Sequence, residues 1–326
     1  MATKLLVVSG LHLDKAWTSE QVAVGHQLRA ASSQLLLELV QRALDLEVDA
    51  LVVLGGLWDP ATVRGSTVDD VRTVLDAVPF PVVLLPDRAE AESGFRPESL
   101  VEWPATVHLV ESHARTTVVI GDNHLTAVGP LAPPEQITHG VDALLTTQSG
   151  REFGDIPVVC PASSRDAQFH GTVPVPVLIE GSGTGHPQGI VVMLSQGQAP
   201  QVEEVTFSVD LGTERTLDVS EHEDSSTLIS ALNDTLSACA GSDRLRVSGR
   251  VNPRVLVPPA LKWTQSRPDV TVVWEDLDFV FPPTPPDHTV QAELIRRLAG
   301  PGPDAARRHQ ALALGLDSLE SQDVTA

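Results

Sequence analysis

Three apolar runs, Leu5-Leu6-Val7-Val8, Leu51-Val52-Val53 and Val82-Val83-Leu84-Leu85, do most to limit what this chain can fold into. Aliphatic runs without polar alternation read as strands covered on both faces, the condition of a parallel sheet packed between other layers. The stretch between the first two runs carries Leu28, Leu35, Leu39 and Leu46 at helical spacing, which predicts a helix over 24–46. A second helix is expected over 67–77, with strands at 4–8, 50–54 and 82–85. Parallel strands joined by helices define an α/β layered core, and such cores place their ligand groups at the strand C-terminal ends.

Each run gives way at once to small, polar or charged residues. Ser9-Gly10-Leu11-His12 follows the first, Leu54-Gly55-Gly56-Leu57-Trp58-Asp59 the second, and Pro86-Asp87-Arg88-Ala89-Glu90 the third. Further on, strands expected at 116–120 and 125–128 flank Gly121-Asp122-Asn123-His124, which reads as a hairpin turn. Val141-Asp142-Ala143-Leu144 then leads into Leu145-Thr146-Thr147-Gln148. Strands are also expected at Val158-Val159-Cys160, at 189–194 and at 201–209, which closes a first domain at residue 211.

A second unit, 212–281, opens with a polar link at 218–223, followed by a helix over 226–240 and a strand at 244–249. Arg244, Arg246 and Arg250 alternate along that strand, as a solvated face or a modest basic ridge. The third segment, 282–326, begins with the stiff run Pro282-Pro283-Thr284-Pro285-Pro286 and carries helical patterns over 289–298 and 305–319. Leu294, Leu298, Leu312, Leu316 and Leu319 mark the apolar stripes of these helices. The stripes suit either packing on their own domain or the groove of a partner, and the proline spacer favours the partner.

The strand-end motifs resemble those of the calcineurin-like metallophosphoesterase superfamily, in which strands end in D-x-H, G-D and G-N-H-D and hold two metal ions. The bacterial DNA-repair exonuclease branch, of the SbcD and YhaO type, is similar over most of residues 1–280. Leu11-His12-Leu13-Asp14, Asp49-Ala50-Leu51-Val52-Val53 and Leu100-Val101-Glu102-Trp103-Pro104-Ala105-Thr106-Val107-His108 carry that likeness. The resemblance implies a β-sandwich core flanked by helices, a small αβ capping domain, and C-terminal helices that dock on a coiled-coil, SMC-like ATPase. It also implies a homodimer through the core domain.

Matched residue by residue, only His12 stands at a ligand position. Gly10 and Gly56 replace aspartates, Arg88 and Ala89 replace the Asn and His of the third motif, and Thr146 and Gln148 fall where the G-H-x-H histidines belong. Two-metal phosphoester cleavage needs carboxylates and imidazoles to hold both ions. The resemblance therefore implies a scaffold whose chemistry has been lost: no catalytic residue, no metal, and a scaffolding or regulatory role in a DNA-repair or genome-maintenance complex.

Two other functions compete. A metal site could be rebuilt from Asp14, Asp59, Asp87 and Glu90 around His12, with His139 nearby, giving a Mn2+- or Mg2+-dependent exonuclease or phosphodiesterase. Alternatively a metal-free cleft could take a nucleotide or DNA end, with Arg88 as phosphate partner. Ser9, Ser149 and Ser163 lie in no nucleophile elbow, and Gly181-Ser182-Gly183-Thr184-Gly185 lacks the lysine of a phosphate loop.

Composition narrows the partners. Forty-three acidic residues against 22 basic ones give a net charge of −21, which opposes unaided binding to a phosphate backbone, so DNA contact is expected to be indirect or weak. No apolar run approaches the ~20 residues of a membrane span, and the cytoplasm is the expected location. Cys160 and Cys239 are too few for a disulfide framework.

Overall fold

The computed structural model describes residues 2–18, 22–94, 96–133, 141–147, 156–161, 172–179, 186–195, 198–240, 243–253, 255–256, 267, 269–283, 289–299 and 305–323. The chain divides into two compact units, Met1–Ser19 with Gly25–Leu211, and Glu20–Val24 with Gly212–Ala326.

In the first unit, β1 (Thr3–Val8), β2 (Ala50–Leu54), β3 (Val82–Leu85) and β4 (Val107–Leu109) run parallel. Their connections carry α1 (Val22–Asp45), α2 (Gly65–Asp76) and the short α3 (Arg88–Glu92). A five-stranded sheet follows, of β5 (Arg115–Ile120), β6 (Asn123–Val128), β7 (Ala143–Thr146), β8 (Val158–Pro161) and β9 (Thr172–Val175) in that order. The chain then returns to the first sheet through β10 (Gln188–Leu194), antiparallel to β1, and β11 (Gln201–Thr206), which forms its edge.

One apolar core joins the two sheets. Leu5, Val7, Val52, Leu54, Val83 and Leu85 meet Ile120, Leu125, Leu145, Val159 and Val175 in it. The alternate residues Leu6, Val8, Leu51, Val53, Val82 and Leu84 are buried as well. Both faces of β1, β2 and β3 are thus covered, and this is why those runs lack polar alternation. Helix α1 buries Leu28, Leu35 and Leu39, the stripe its spacing predicts. The β5–β6 hairpin turns at Gly121-Asp122, with Gly121 at φ +58°, the left-handed geometry that a tight two-residue hairpin turn requires.

The second unit is a parallel three-stranded sheet of β12 (Glu214–Asp218), β13 (Arg244–Val251) and β14 (Thr271–Phe279), covered by α4 (Ser225–Ala238). Leu228, Leu232 and Leu236 of α4 pack on Leu245, Val247 and Val272. Asp224 caps the helix, its side chain accepting from the Ser226 and Thr227 amides at 2.8 Å. Helices α5 (Val290–Leu298) and α6 (Ala305–Asp323) complete the unit.

Strands β4, β9, β12 and β14 lie where the sequence predicts none. Residue 218 ends β12 rather than opening a polar link; β9 is four residues long and contains Pro174; and β14 carries Glu275, Asp276 and Asp278 among its nine residues. Prolines and acidic residues are poor strand formers, so the pairing context decides these segments. Most of the proline run after residue 283 lies outside the described residues.

Candidate functional site

The loops that leave β1, β2 and β3 are laced together by backbone. The Gly10 amide donates to the Gly55 carbonyl at 3.0 Å, His12 to Gly56 at 2.7 Å and Leu13 to Leu57 at 2.9 Å, while Asp59 donates back to Leu13 at 3.0 Å. This ladder leaves Gly10, Gly55 and Gly56 in left-handed conformations, at φ +71°, +73° and +63°. A Cβ on Gly10 would lie 2.4 Å from Val177 Cγ1, and one on Gly56 would lie 3.0 Å from both Gly10 Cα and His12 Cε1. At the two positions matched to metal-ligating aspartates a side chain would therefore be strained by the positive φ, would push Val177 aside at Gly10, and would crowd Gly10 and His12 at Gly56. His12, Asp14 and Trp17 also hold positive φ, at +49°, +62° and +50°, in the same loop. Strained backbone of this kind persists only where its surroundings over-determine it.

The carboxylates expected to rebuild a metal site each have a structural task. Asp14 accepts from the Arg64 amide at 3.0 Å, from the Arg64 guanidinium at 2.7 Å and from the Thr67 hydroxyl. Its carboxyl is raised by burial, but these bonds outweigh that and hold it below the usual carboxylate range. Asp59 accepts from the Ala61 amide at 3.0 Å, an Asx turn. Asp87 caps α3 by accepting from the Glu90 amide at 2.8 Å.

Glu90 completes that capping box and binds far more of the site. Its Oε2 accepts from the Asp87 amide at 2.7 Å and the Gly56 amide at 3.0 Å, and its Oε1 from the Trp58 amide at 2.9 Å. The residue is 4% exposed. Burial, with the charge of Asp87 beside it, pushes its carboxyl up to about 7 although three amides favour the ionised form.

His12 lies within electrostatic range of Lys15, Asp87 and Asp59, and burial holds its imidazole below the ordinary value. The fold thus brings His12, Asp59, Asp87 and Glu90 to one end of the sheet and turns Asp14 to Arg64. Among the described residues, no three His, Cys, Asp or Glu groups are placed to hold a metal ion. Arg88, expected as a phosphate partner, is 76% exposed and paired with Glu92 at 2.7 Å. Ala89 lies in α3, and Thr146 is fully buried in β7. Gln148, His139, Ser149, Ser163 and Gly181–Gly185 fall outside the described residues.

The leucines expected to meet a partner are largely spent on their own unit. Leu312 and Leu316 are buried with Ile295, and Leu294 and Leu298 pack against that cluster. Leu319 is half-buried. Nearby, His309 is 1% exposed, with its Nε2 3.1 Å from the Asn252 carbonyl and its ring 4.9 Å from Phe279. The alternating arginines are likewise engaged, Arg246 with Glu214 at 3.2 Å and Arg250 with Asp278 at 3.7 Å.

One feature of the site has no counterpart in the sequence reading. A cavity of about 400 Å3 opens beyond β2, β3 and β4, walled by Leu57, Trp58, Leu84, Leu85 and Val110, with Glu90 in its lining. Arg96, Glu111 and His113 line its exposed side. Four separate segments build it. The sequence signal that could have pointed to it is Trp58, a large aromatic residue just past the second strand.

The fold and these strand ends define a mixed α/β protein with left-handed glycines at its strand ends and a cavity beside them. No family model matches the chain, and no curated protein does. A solved crystal structure 12% identical to it covers 64% of this chain and all of its own, with a TM-score of 0.31, and carries no argument about fold or function. No helix among the described residues is long and apolar enough to cross a membrane.

Proposed function

We propose that this chain is a non-catalytic protein on a calcineurin-like metallophosphoesterase scaffold, a cytoplasmic scaffold or regulator in a DNA-repair or genome-maintenance complex with an SMC-like ATPase. The observation that carries the reading is the left-handed backbone at Gly10 and Gly56. At both matched positions a side chain would meet a strained φ and a crowded neighbour, Val177 in one case and Gly10 with His12 in the other. The four carboxylates that could compensate are hydrogen-bonded to loop amides. A hard divalent ion would have to displace those bonds to find oxygen ligands. The burial of Leu312 and Leu316 further implies that any ATPase contact uses a different face from the leucine stripe.

Calorimetric titration of Mn2+ into the metal-stripped chain tests the non-catalytic part. No stoichiometric binding and no hydrolysis of bis(p-nitrophenyl) phosphate are expected; one or two bound ions accompanied by turnover would overturn it. Co-elution with a purified SMC-type ATPase tests the partner, and separate elution at micromolar concentrations would remove that assignment.

A further inference from the structure

The cavity beyond β2, β3 and β4 has the make-up of a small-molecule site and plays no part in the function proposed above. Its size lies within the range of ligand pockets, roughly 300–1,000 Å3, which are mostly apolar with a few placed polar groups. Here the floor is buried: Leu57, Trp58, Leu84, Leu85 and Val110 are each 6% exposed or less. The charged and titratable residues Arg96, Glu111 and His113 are on the exposed side. An apolar ligand body would therefore find dry walls and an indole, with water and charge left at the mouth.

Glu90 sets the chemistry of what fits. It is the ionisable group of the buried lining, and a carboxylate offers about four acceptor positions. Three are filled by the Gly56, Trp58 and Asp87 amides. Oε2 takes two of those bonds and Oε1 one, so the unfilled position belongs to Oε1. Above about pH 7, where Glu90 is ionised, a ligand donor placed there would supply a charge-assisted bond to a desolvated carboxylate. In that ionised state a ligand offering only acceptors would face a buried acceptor without a partner, which is costly. The walls ask for a flat apolar body, and the carboxylate asks for N–H.

We propose that this cavity binds a planar heteroaromatic molecule carrying an amino or ring N–H group, its ring among Trp58, Leu84 and Leu85 and its N–H donated to Glu90 Oε1. The recognition is of a donor edge on a bicyclic or similar ring, and Arg96 and His113 at the mouth leave room for a substituent that stays in water.

The probes are 2-aminobenzimidazole, which is flat and rich in N–H donors, and quinoline, which is similar in size and only accepts. Binding to the chain at about pH 8, where Glu90 is ionised, is followed by ligand-observed saturation-transfer NMR and by tryptophan fluorescence. Saturable, one-to-one binding of 2-aminobenzimidazole is expected, at least tenfold tighter than quinoline. Two wall substitutions, Leu109→Trp and Ser112→Trp, fill the cavity from the side and the mouth, and either one that retains a cooperative thermal melt should lose binding at least tenfold. Glu90→Gln should erase the preference for the donor probe. Absence of saturable binding up to millimolar concentration overturns the proposal, as does equal affinity for the two probes or unchanged binding in a folded wall variant.

Discussion

Two residues decide what the strand ends can do. The resemblance marks Gly10 as a position without a ligand, but its φ of +71° and the 2.4 Å approach of Val177 were not legible in the sequence, because they arise from a bridge between loops far apart in the chain. Gly10→Asp therefore should not restore a metal site. The left-handed backbone and the overpacked Cβ together predict a loss of about 2–5 kcal/mol, read as a lowered denaturation midpoint with no gain of Mn2+ binding by calorimetry. Glu90 makes the second prediction. Its carboxyl is raised from an ordinary 4.5 to about 7, so the folded state holds the proton more tightly than the unfolded chain. That contribution is complete below about pH 4.5 and is lost as pH rises through about 7. At ~1.4 kcal/mol per unit the loss is on the order of 3 kcal/mol. Urea denaturation at stepped pH should show this fall in the parent protein and a flatter profile in Glu90→Gln, which also starts lower because its amide cannot accept from all three loop N–H groups.

At the scale of elements, periodicity read well wherever burial alone chose the structure. Strands β2 and β3 and helices α1, α2 and α4 follow from aliphatic runs and leucine spacing. It failed at β9, β12 and β14, where a proline or acidic residues oppose strand propensity and neighbouring strands impose the pairing. The C-terminal helices show the limit of stripe reading. Leu312 and Leu314 differ by half a turn, and spacing cannot say whether the buried stripe meets its own unit or another chain. Leu312 is fully buried with Ile295, while Leu314 is 51% exposed. Leu312→Ala should cost about 2–5 kcal/mol and Leu314→Ala less than about 0.5 kcal/mol. Thermal melts of the two variants check this; equal, small shifts would mean that the stripe faces outward after all.

For the whole molecule, composition speaks more plainly than any motif. A net charge of −21, with the arginines of β13 paired to Glu214 and Asp278, leaves little to attract a phosphate backbone. Fluorescence anisotropy with duplex DNA at ~150 mM salt should show no binding at about 10 µM protein, weaker than a typical nonspecific DNA binder. Charge also governs how copies of the chain meet one another. The six-stranded sheet ends at β11, where Val202, Glu203 and Glu204 are exposed along an edge with no neighbour on its outer side among the described strands. A second copy pairing there antiparallel would bring glutamates face to face, and that repulsion guards an otherwise open hydrogen-bonding edge. Replacing both by Thr would leave a β-prone strip beside Val202 and no guard. Concentrated solutions of that double variant should turn turbid and bind amyloid dye while the parent stays clear, so the shelf life of this protein rests on two exposed glutamates of its edge strand.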